Sequence, residues 1–185
     1  MRFPIRIALA AVILAATAGA AHASPHGTLV VRGSNAGDTL ALRLQAGHPK
    51  TLEIDFNDDG IADRRINRKS VKRIRIKTFA GDDRVRIDEA NGAFTNRIPT
   101  RIDSGRGDDA LLGGRGNERF YAGPGNDTVD GGRGADKAHG GDGDDVLTGG
   151  PGRDALLGQA GDDVLIGGAG LDALGGGSGD NIVMQ

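Results

Sequence analysis

The sequence predicts an all-β protein whose C-terminal half is a solenoid, a stack of short coils of chain. Three observations lead to this prediction. Glycine accounts for 33 residues, and 25 of them lie among the last 82 positions. From residue 104 onward the chain divides into nine consecutive nonapeptides without a gap. Like repeats recur at every second nonapeptide, which gives a structural period of 18 residues.

The N-terminus is typical of a secretory signal peptide. Arg2 and Arg6 precede an apolar run from Ile7 to about Ala21, and Ala23 closes a small-x-small cleavage pattern. We therefore expect residues 1–23 to be removed and the mature chain to be secreted, to the extracellular space, the cell surface or the periplasm. An uncleaved membrane anchor is the alternative, although the apolar run is short for a span.

The segment from Ser24 to Asp103 contains short alternating apolar runs such as TLVVRG and KRIRIK, and it predicts β-structure throughout. Gly37-Asp38-Thr39-Leu40 and Gly81-Asp82-Asp83-Arg84-Val85 echo the pattern of the later repeats. These echoes favour an irregular β-helical cap on the solenoid, with a separate small β domain as the alternative.

The stretch Asp55–Asp63 resembles the start of a calcium loop, but Ile66 stands where such a loop supplies glutamate. A hairpin turn is the preferred interpretation of this stretch, and calcium binding there stays open.

Eight basic and no acidic residues lie between Arg64 and Lys77. Strand alternation places Ile74 and Ile76 inward and the basic side chains outward. Two interpretations stay open: a solvated strand face that discourages edge aggregation, or a stripe that binds an anionic cell-surface polysaccharide or lipid headgroups. Nucleic acid is not an expected partner, because the stripe has no interleaved aromatic residues.

The C-terminal segment, residues 104–185, holds the nine repeats. Position four is glycine in all nine, position six is acidic in eight, and position eight is apolar throughout. In order they read SGRGDDALL, GGRGNERFY, AGPGNDTVD, GGRGADKAH, GGDGDDVLT, GGPGRDALL, GQAGDDVLI, GGAGLDALG and GGSGDNIVM. We number the repeats one to nine, so that the odd repeats begin with Ser104 and the even ones with Gly113.

Each shared position has a physical reason. Glycine accepts the positive φ of a tight turn, and the residue at position eight points inward from a short strand. Position five is Asp or Asn in the odd repeats but varied in the even ones, which indicates two distinct faces with Phe120 stacked beside Ala138. Stacked coils lie about 4.8 Å apart, so neighbouring position-six carboxylates repel by roughly 3 kcal/mol and need a bridging cation.

These nonapeptides resemble the hemolysin-type, or RTX, calcium-binding repeat. The resemblance covers residues 104–185 and implies a right-handed parallel β-roll, in which two nonapeptides complete one coil. Within each nonapeptide, six residues turn and three form a short strand. The predicted fold is therefore an all-β solenoid, a β-roll or β-helix, with an irregular β cap formed by residues 24–103.

Calcium is the expected cofactor, because carboxylate and carbonyl oxygens in a flexible turn suit it better than magnesium. Zinc or copper would favour His or Cys, and within the repeats only His139 is of this kind. Adjacent position-six residues form up to seven sites. The sites of Glu118 and Asn181 are expected to be weaker, because the Glu118 side chain is too long and the Asn181 side chain is neutral. The expected ligands are Asp109, Asp127, Asp145, Asp163 and Asn181 on the odd side, and Glu118, Asp136, Asp154 and Asp172 on the even side.

The sequence thus predicts a secreted, non-catalytic calcium-binding protein that folds on binding calcium, with a structural or surface-interaction role. The alternative is a polysaccharide-acting β-helix enzyme or its calcium-dependent accessory module, but no set of catalytic groups is evident. The ninth repeat carries Ile182, Val183 and Met184 with no capping element, so end-to-end self-association is also expected. No transmembrane span is expected in the mature chain.

Overall fold

The computed structural model describes residues 20–24 and 26–185. Within them the chain forms short β-strands and one 3-10 turn at Arg68–Ser70, with no α-helix. The strands are β1 (Ala20–Ala23), β2 (Thr28–Arg32), β3 (Thr39–Gln45), β4 (His48–Phe56), β5 (Arg64–Asn67), β6 (Arg73–Ala80), β7 (Arg84–Asp88), β8 (Thr100–Arg106), β9 (Ala110–Leu112), β10 (Glu118–Pro124), β11 (Thr128–Asp130), β12 (Lys137–Asp142), β13 (Val146–Gly152), β14 (Ala155–Ala160), β15 (Val164–Gly170), β16 (Ala173–Ser178) and β17 (Ile182–Met184).

The strands form two sheets. Sheet A has the order β1-β2-β6-β8-β10-β12-β14-β16, and sheet B has the order β17-β15-β13-β11-β9-β7-β3-β4-β5. From β5 onward the chain passes from one sheet to the other between consecutive strands, so neighbouring strands of the roll are parallel. The pairs β1/β2, β3/β4 and β4/β5 are the antiparallel exceptions in the described residues. The predicted all-β solenoid of parallel strands is therefore confirmed.

The 18-residue period predicted from the repeats sets the strand register. Even repeats supply strands to sheet A and odd repeats supply strands to sheet B. Phe120 pairs with Ala138, as predicted, and Val129 lies between Leu111 and Leu147. Several strands are longer than the three residues that the resemblance implied, since β13 and β15 each contain seven. Because paired residues on neighbouring strands of one sheet are 18 positions apart, two repeats make one coil.

A narrow apolar core lies between the two sheets. In the repeats, it consists of one side chain per strand from position eight, and Leu111, Phe120, Leu147, Leu156 and Leu165 are each at most 2% exposed. Val183 at position eight of the last repeat is 48% exposed, because no further coil covers it. Since each coil adds little apolar area, the repeats depend on their turns as well as on their core.

The segment before the repeats continues the same two sheets. β2, β6 and β8 add to sheet A, and β3 and β7 add to sheet B, all in parallel register with the roll. The antiparallel strands β4 and β5 extend the edge of sheet B, and the Asp55–Asp63 turn joins them. β8 contains residues on both sides of position 104. The division of the chain into domains remains a prediction.

The predicted signal peptide lies mostly in residues 1–19, outside the described part of the chain. Its last residues form β1, which pairs antiparallel with β2 at the edge of sheet A. No helix in residues 20–24 and 26–185 is long and apolar enough to cross a membrane. Cleavage after Ala23 remains a prediction, and it would leave β2 as the edge strand.

The turns of the roll use backbone with positive φ at positions two and four. Gly141 has φ +142° and Gly143 has φ +122°, and most repeats follow this pattern. A Cβ on either glycine would press against a backbone carbonyl of the preceding coil, from Gly123 or Gly125. Repeat seven departs from the pattern, because Gln159 occupies position two with φ +89°. This residue carries local backbone strain.

Replacing Gln159 with glycine is expected to raise the free energy of unfolding by about 1 kcal/mol, because glycine adopts positive φ without a steric penalty. Urea unfolding at saturating calcium measures the change. Ala160→Gly provides the matched control one position later, where φ is not positive. That substitution should lower stability by roughly 0.5–1 kcal/mol, and equal effects from the two variants would contradict the strain.

Candidate metal site

The position-six side chains form two columns, one along each side of the roll. The odd column contains Asp109, Asp127, Asp145, Asp163 and Asn181, and the even column contains Glu118, Asp136, Asp154 and Asp172. In both columns the backbone N–H of one residue donates to the side-chain oxygen of the residue 18 positions later. These N···O distances are 2.8 Å for Asp109 to Asp127 and 2.8 Å for Asp136 to Asp154. All the predicted neighbours are therefore brought together.

These hydrogen bonds use only one oxygen of each carboxylate. The second oxygen, Oδ2, is buried and has no hydrogen-bond partner in Asp109, Asp127, Asp136, Asp145, Asp154, Asp163 and Asp172. Oε1 of Glu118 is in the same state. Six of these seven aspartates are at most 2% exposed, Asp172 near the open end being the exception. A buried oxygen without a partner is costly, so a row of them is suited to binding a cation.

Glycine at position one leaves an oxygen-lined space beside each free Oδ2. A methyl group built on Gly131 would lie 2.8 Å from Oδ2 of Asp136 and 2.8 Å from the carbonyl oxygen of Gly149. On Gly149 it would lie 2.5 Å from Oδ2 of Asp154 and 2.7 Å from the carbonyl oxygen of Gly167. Carboxylate and carbonyl oxygens at this spacing fit calcium, which binds oxygen at about 2.3–2.6 Å.

The same space is filled by a side chain in two repeats. Position one is Ser104 in the repeat of Asp109 and Ala122 in the repeat of Asp127, and both side chains are fully buried. Glu118 differs again, because its Oε2 accepts from the backbone N–H of Gly114 at 3.0 Å. The residues present therefore fit calcium best from repeat four onward.

Burial raises the pKa of most column carboxyls. Loss of solvation is the largest cause in every case, and it raises the pKa of Asp136 to about 8 and those of Glu118 and Asp127 to about 7. It raises the pKa of Asp145 to about 6, and the pKa of Asp109 and of Asp154 also lies above its usual value. The backbone N–H donors lower these pKa values but do not offset burial.

Repulsion between stacked carboxylates, which the repeat pattern predicts, is the smaller of two reasons for a cation in the columns. In the structure, repulsion from Glu118 and Asp154 also raises the pKa of Asp136, but it contributes less than burial does. The reason is geometric, because each carboxylate lies in a closed turn and faces a backbone N–H of the preceding coil. A cation bound here would therefore mainly compensate for the hydration that Asp136 loses on burial.

The odd column continues into the cap, which the sequence analysis did not foresee. Asp83 accepts from the backbone N–H of Asp38 at 2.7 Å and donates its own N–H to Asp109 at 2.8 Å. The separations are 45 and 26 residues rather than 18, so no fixed period could reveal them. The G-x-D echoes at Asp38 and Asp83 were the available signal. Thr78 occupies position one beside Asp83 and is fully buried, as Ser104 is.

A second ladder runs along the odd turns at position five. Here the side chain accepts from the backbone N–H of the following coil, as Asp108 does from Asn126 and Asp144 does from Asp162, both at 2.8 Å. These side chains are exposed. The alternation at position five was noted in the sequence, but its role in joining coils was not. On the even side, within the described residues, only Asn117 forms such a bond, to Ala135.

Carboxylates of the Asp55–Asp63 turn are bound by other groups of the protein. Asp55 is fully buried and accepts from Arg43 at 2.9 Å and from the backbone N–H of Gly60 at 2.9 Å. Asp58 forms an ion pair with Arg86. The hairpin interpretation is confirmed by the pairing of β4 with β5. Whether this turn binds calcium remains untested, but two of its carboxylates already have arginine partners.

The prediction that Arg64 to Lys77 form one continuous basic stripe is wrong, because these residues lie on two different sheets. Arg64 and Arg65 lie in β5 at the edge of sheet B, whereas Arg73, Arg75 and Lys77 lie in β6 within sheet A. The 3-10 turn between them redirects the chain from one sheet to the other. The alternation within β6 is as predicted, since Ile74 and Ile76 are at most 1% exposed.

No cluster of three or more His, Cys, Asp or Glu side chains that could hold a metal occurs in residues 20–24 and 26–185. Any calcium site therefore combines paired carboxylates with backbone carbonyl oxygens. The family model described as the RTX calcium-binding nonapeptide repeat (4 copies) matches residues 101–129, 121–156 and 148–183. Residues 101–183 carry RTX calcium-binding repeats. Searches of the curated proteins and of the solved structures each found no match.

The RTX columns predict a distinctive pH dependence of the metal-free protein. Because burial raises the folded-state pKa of these carboxyls above the unfolded value of about 4, they favour folding below pH about 4, and this contribution is lost as the pH rises through about 6 to 8. Urea unfolding without calcium should therefore show lower stability at pH 8 than at pH 5.

Calcium should reverse this trend, because calcium and protons compete for the same oxygens. The gain in stability on adding saturating calcium should be larger at pH 8 than at pH 5. A metal-free stability that increases from pH 5 to pH 8 would contradict the proposed electrostatic origin.

Proposed function

We propose that this protein is an exported, non-catalytic calcium-binding β-roll that becomes ordered when it meets calcium outside the cell. The match of the repeats to the RTX calcium-binding family model supports calcium binding by this chain. Ordering on binding, export and the non-catalytic role are inferences from the chain itself. Together they describe a structural module that presents a surface to a partner.

The observation that supports ordering by calcium is the row of buried Oδ2 atoms without partners. A metal-free chain that folds must either protonate these groups or bury their charge without compensation. Calcium removes this cost by binding the same oxygens, so its binding energy becomes folding energy. The repeats contain no disulfide that could do this instead.

The proposed ligands are the nine position-six residues of the odd and even columns. The repeats with glycine at position one and aspartate at position six are the strongest candidates. They contain Asp136, Asp145, Asp154, Asp163 and Asp172. Asp109 and Asp127 follow, because Ser104 and Ala122 fill the space beside them. The number of ions is proposed as several, with seven as the upper limit set by adjacent pairs.

Catalysis is not favoured by the residues that could perform it. His48 is exposed and its Nδ1 lies 3.1 Å from the carbonyl oxygen of Ala46. Tyr121 stacks on His139, with ring centroids 4.9 Å apart. The carboxyls of high pKa are locked into the two columns by backbone donors. The alternative is that the chain is a polysaccharide-acting β-helix enzyme or the calcium-dependent accessory module of one.

Two partners are proposed besides calcium. The first is an anionic cell-surface polysaccharide, held by the part of the basic segment that lies on sheet A, the β6 residues Arg73, Arg75 and Lys77. The second is another copy of this chain, joined end to end at the last coil, where Ile182, Val183 and Met184 are 43–57% exposed. A strand edge with exposed apolar side chains favours pairing with a second edge.

Circular dichroism of the mature chain, titrated with calcium after exhaustive chelation, tests the proposal. We expect the β-signal of residues 104–185 to increase with calcium, and magnesium at the same concentration to substitute poorly. A full β-spectrum in the chelated protein at pH 8, unchanged by calcium, would refute ordering by calcium.

Asp136→Asn separates the two roles of the column. An asparagine keeps an acceptor for the N–H of Glu118 and loses the charge, as Asn181 does naturally when it accepts from Asp163 at 2.9 Å. We expect higher stability without calcium at pH 8, because no charge is buried, and a smaller gain on adding calcium. Urea unfolding with and without calcium measures both changes.

Asp142→Asn is the matched control, because Asp142 is exposed and lies outside both columns. It should leave both stabilities within about 0.5 kcal/mol of the parent. If Asp136→Asn lowered metal-free stability at pH 8, the column would be a purely structural feature rather than a metal site.

A further inference from the structure

The outward face of sheet A carries a column of positive charge that the repeat pattern does not explain. Arg75, Arg101, Arg119 and Lys137 lie directly beside one another on the successive strands β6, β8, β10 and β12. Adjacent strands are about 4.8 Å apart. Four like charges thus follow one line across the sheet, parallel to the solenoid axis.

These residues line a groove of about 800 Å³ on that face. The segment after β7 contributes Arg97 to its wall, and the turn before β10 contributes Arg115. Glu118 is the one acidic residue in the lining, and it is fully buried in the even column. The groove is therefore positive along its whole length, and it is open to solvent at every basic side chain except the half-buried Arg101.

Most of this charge has no partner within the described residues. Arg101 pairs with Asp103 and lies 3.9 Å from the ring centroid of Tyr121. No ion pair in residues 20–24 and 26–185 involves Arg75, Arg119 or Lys137. Protection of a sheet edge does not explain them, because β8, β10 and β12 are interior strands. Adjacent like charges repel, so this arrangement favours an anionic ligand.

We propose that this groove binds a linear polysaccharide that carries one carboxylate on each sugar. The inference rests on the surface-interaction role proposed above and replaces the Arg64–Lys77 stripe with a defined site. An extended chain of this kind carries its carboxylates at short, regular intervals, so several of them can face the line of basic residues at once. Arginine binds carboxylate through two parallel hydrogen bonds, which a planar guanidinium supplies.

Two other polyanions fit this surface less well. A membrane is flat, whereas the basic side chains line a groove with raised walls, and none of the large exposed apolar residues belongs to its lining. Single-stranded nucleic acid needs free aromatic faces for its bases. Tyr121 and His139 lie beside the groove, but their rings stack on each other with an interplanar angle of 5°.

The test uses the full chain with calcium and a short oligogalacturonate of defined length, below the size that gels. Titration calorimetry should show binding of this oligosaccharide and none of its fully methyl-esterified counterpart, which has the same sugars without charge. Equal binding of the two would overturn the proposal.

Arg119→Glu reverses the charge at the middle of the column and should weaken binding by roughly tenfold or more. Arg133→Glu is the matched control: Arg133 is exposed, lies outside the groove, and its replacement changes net charge equally. It should change affinity less than about twofold. Lys137→Gln provides a milder second variant if Arg119→Glu fails to fold.

Three further outcomes would overturn the inference. Binding that Arg119→Glu and Lys137→Gln both leave intact would mean that calcium bridges the oligosaccharide to the acidic turns instead. Tighter and Arg119-dependent binding of phosphatidylglycerol vesicles, or of a single-stranded oligonucleotide, would assign the groove to that ligand. If calcium stabilises the protein and no oligosaccharide binds, the groove proposal fails while the calcium proposal stands.

Discussion

One hydrogen bond, repeated at every coil, holds the roll in register. The backbone N–H at position six donates to the carboxylate one coil further along, so an irregular turn gains an acceptor for a donor that would otherwise be buried. The bond consumes one oxygen and leaves the other enclosed without a partner. The same aspartate therefore joins the coils and makes a metal-free stack costly at neutral pH. Both the register of the coils and the calcium dependence proposed above rest on that single side chain.

Some buried acids of the cap have arginine partners, whereas Asp83 and Glu89 of the cap each keep a buried oxygen without a partner, as the column acids do. In the cap, Arg43 forms ion pairs with Glu53 and Asp55, and Arg86 forms ion pairs with Asp58 and Asp88. The cap also has a broader core, which includes Phe94 and Ile98 from the segment after β7. In the columns, the acids have backbone donors and each other, and no ion pair among the described residues includes them.

The cap and the roll are therefore stabilised by different interactions. The cap supplies apolar burial and paired charges, which stabilise it without a ligand. The roll has one apolar side chain per strand, so its stability depends on whatever satisfies the free oxygens of its turns. Acidic residues are concentrated in those turns, whereas the exposed face of sheet A is basic. A cation and an anionic polymer can therefore bind to separate surfaces without competing.

Much of the roll could be predicted from the sequence, because a fixed period leaves the chain little freedom. A nine-residue repeat with an apolar position eight determines which side chain points inward, and its alternation determines that two repeats close one coil. Once that coil is fixed, every position-six residue must lie beside its counterpart 18 positions away. The pairs from Asp109 to Asn181 and from Glu118 to Asp172 follow from arithmetic and strand geometry alone.

Where the period fails, only the tertiary structure could decide. Asp38, Asp83 and Asp109 share one column although 45 and 26 residues separate them, because insertions of different length lie between successive coils. In the basic groove, Arg101, Arg119 and Lys137 follow the 18-residue period, whereas Arg75 joins them only because β6 pairs with β8. In each carboxylate, one oxygen accepts a hydrogen bond and the other is free, and this difference also depends on the path of the neighbouring turn. Sequence determines which way a side chain points from its own strand, whereas the neighbours it meets depend on how distant strands are placed in the sheet.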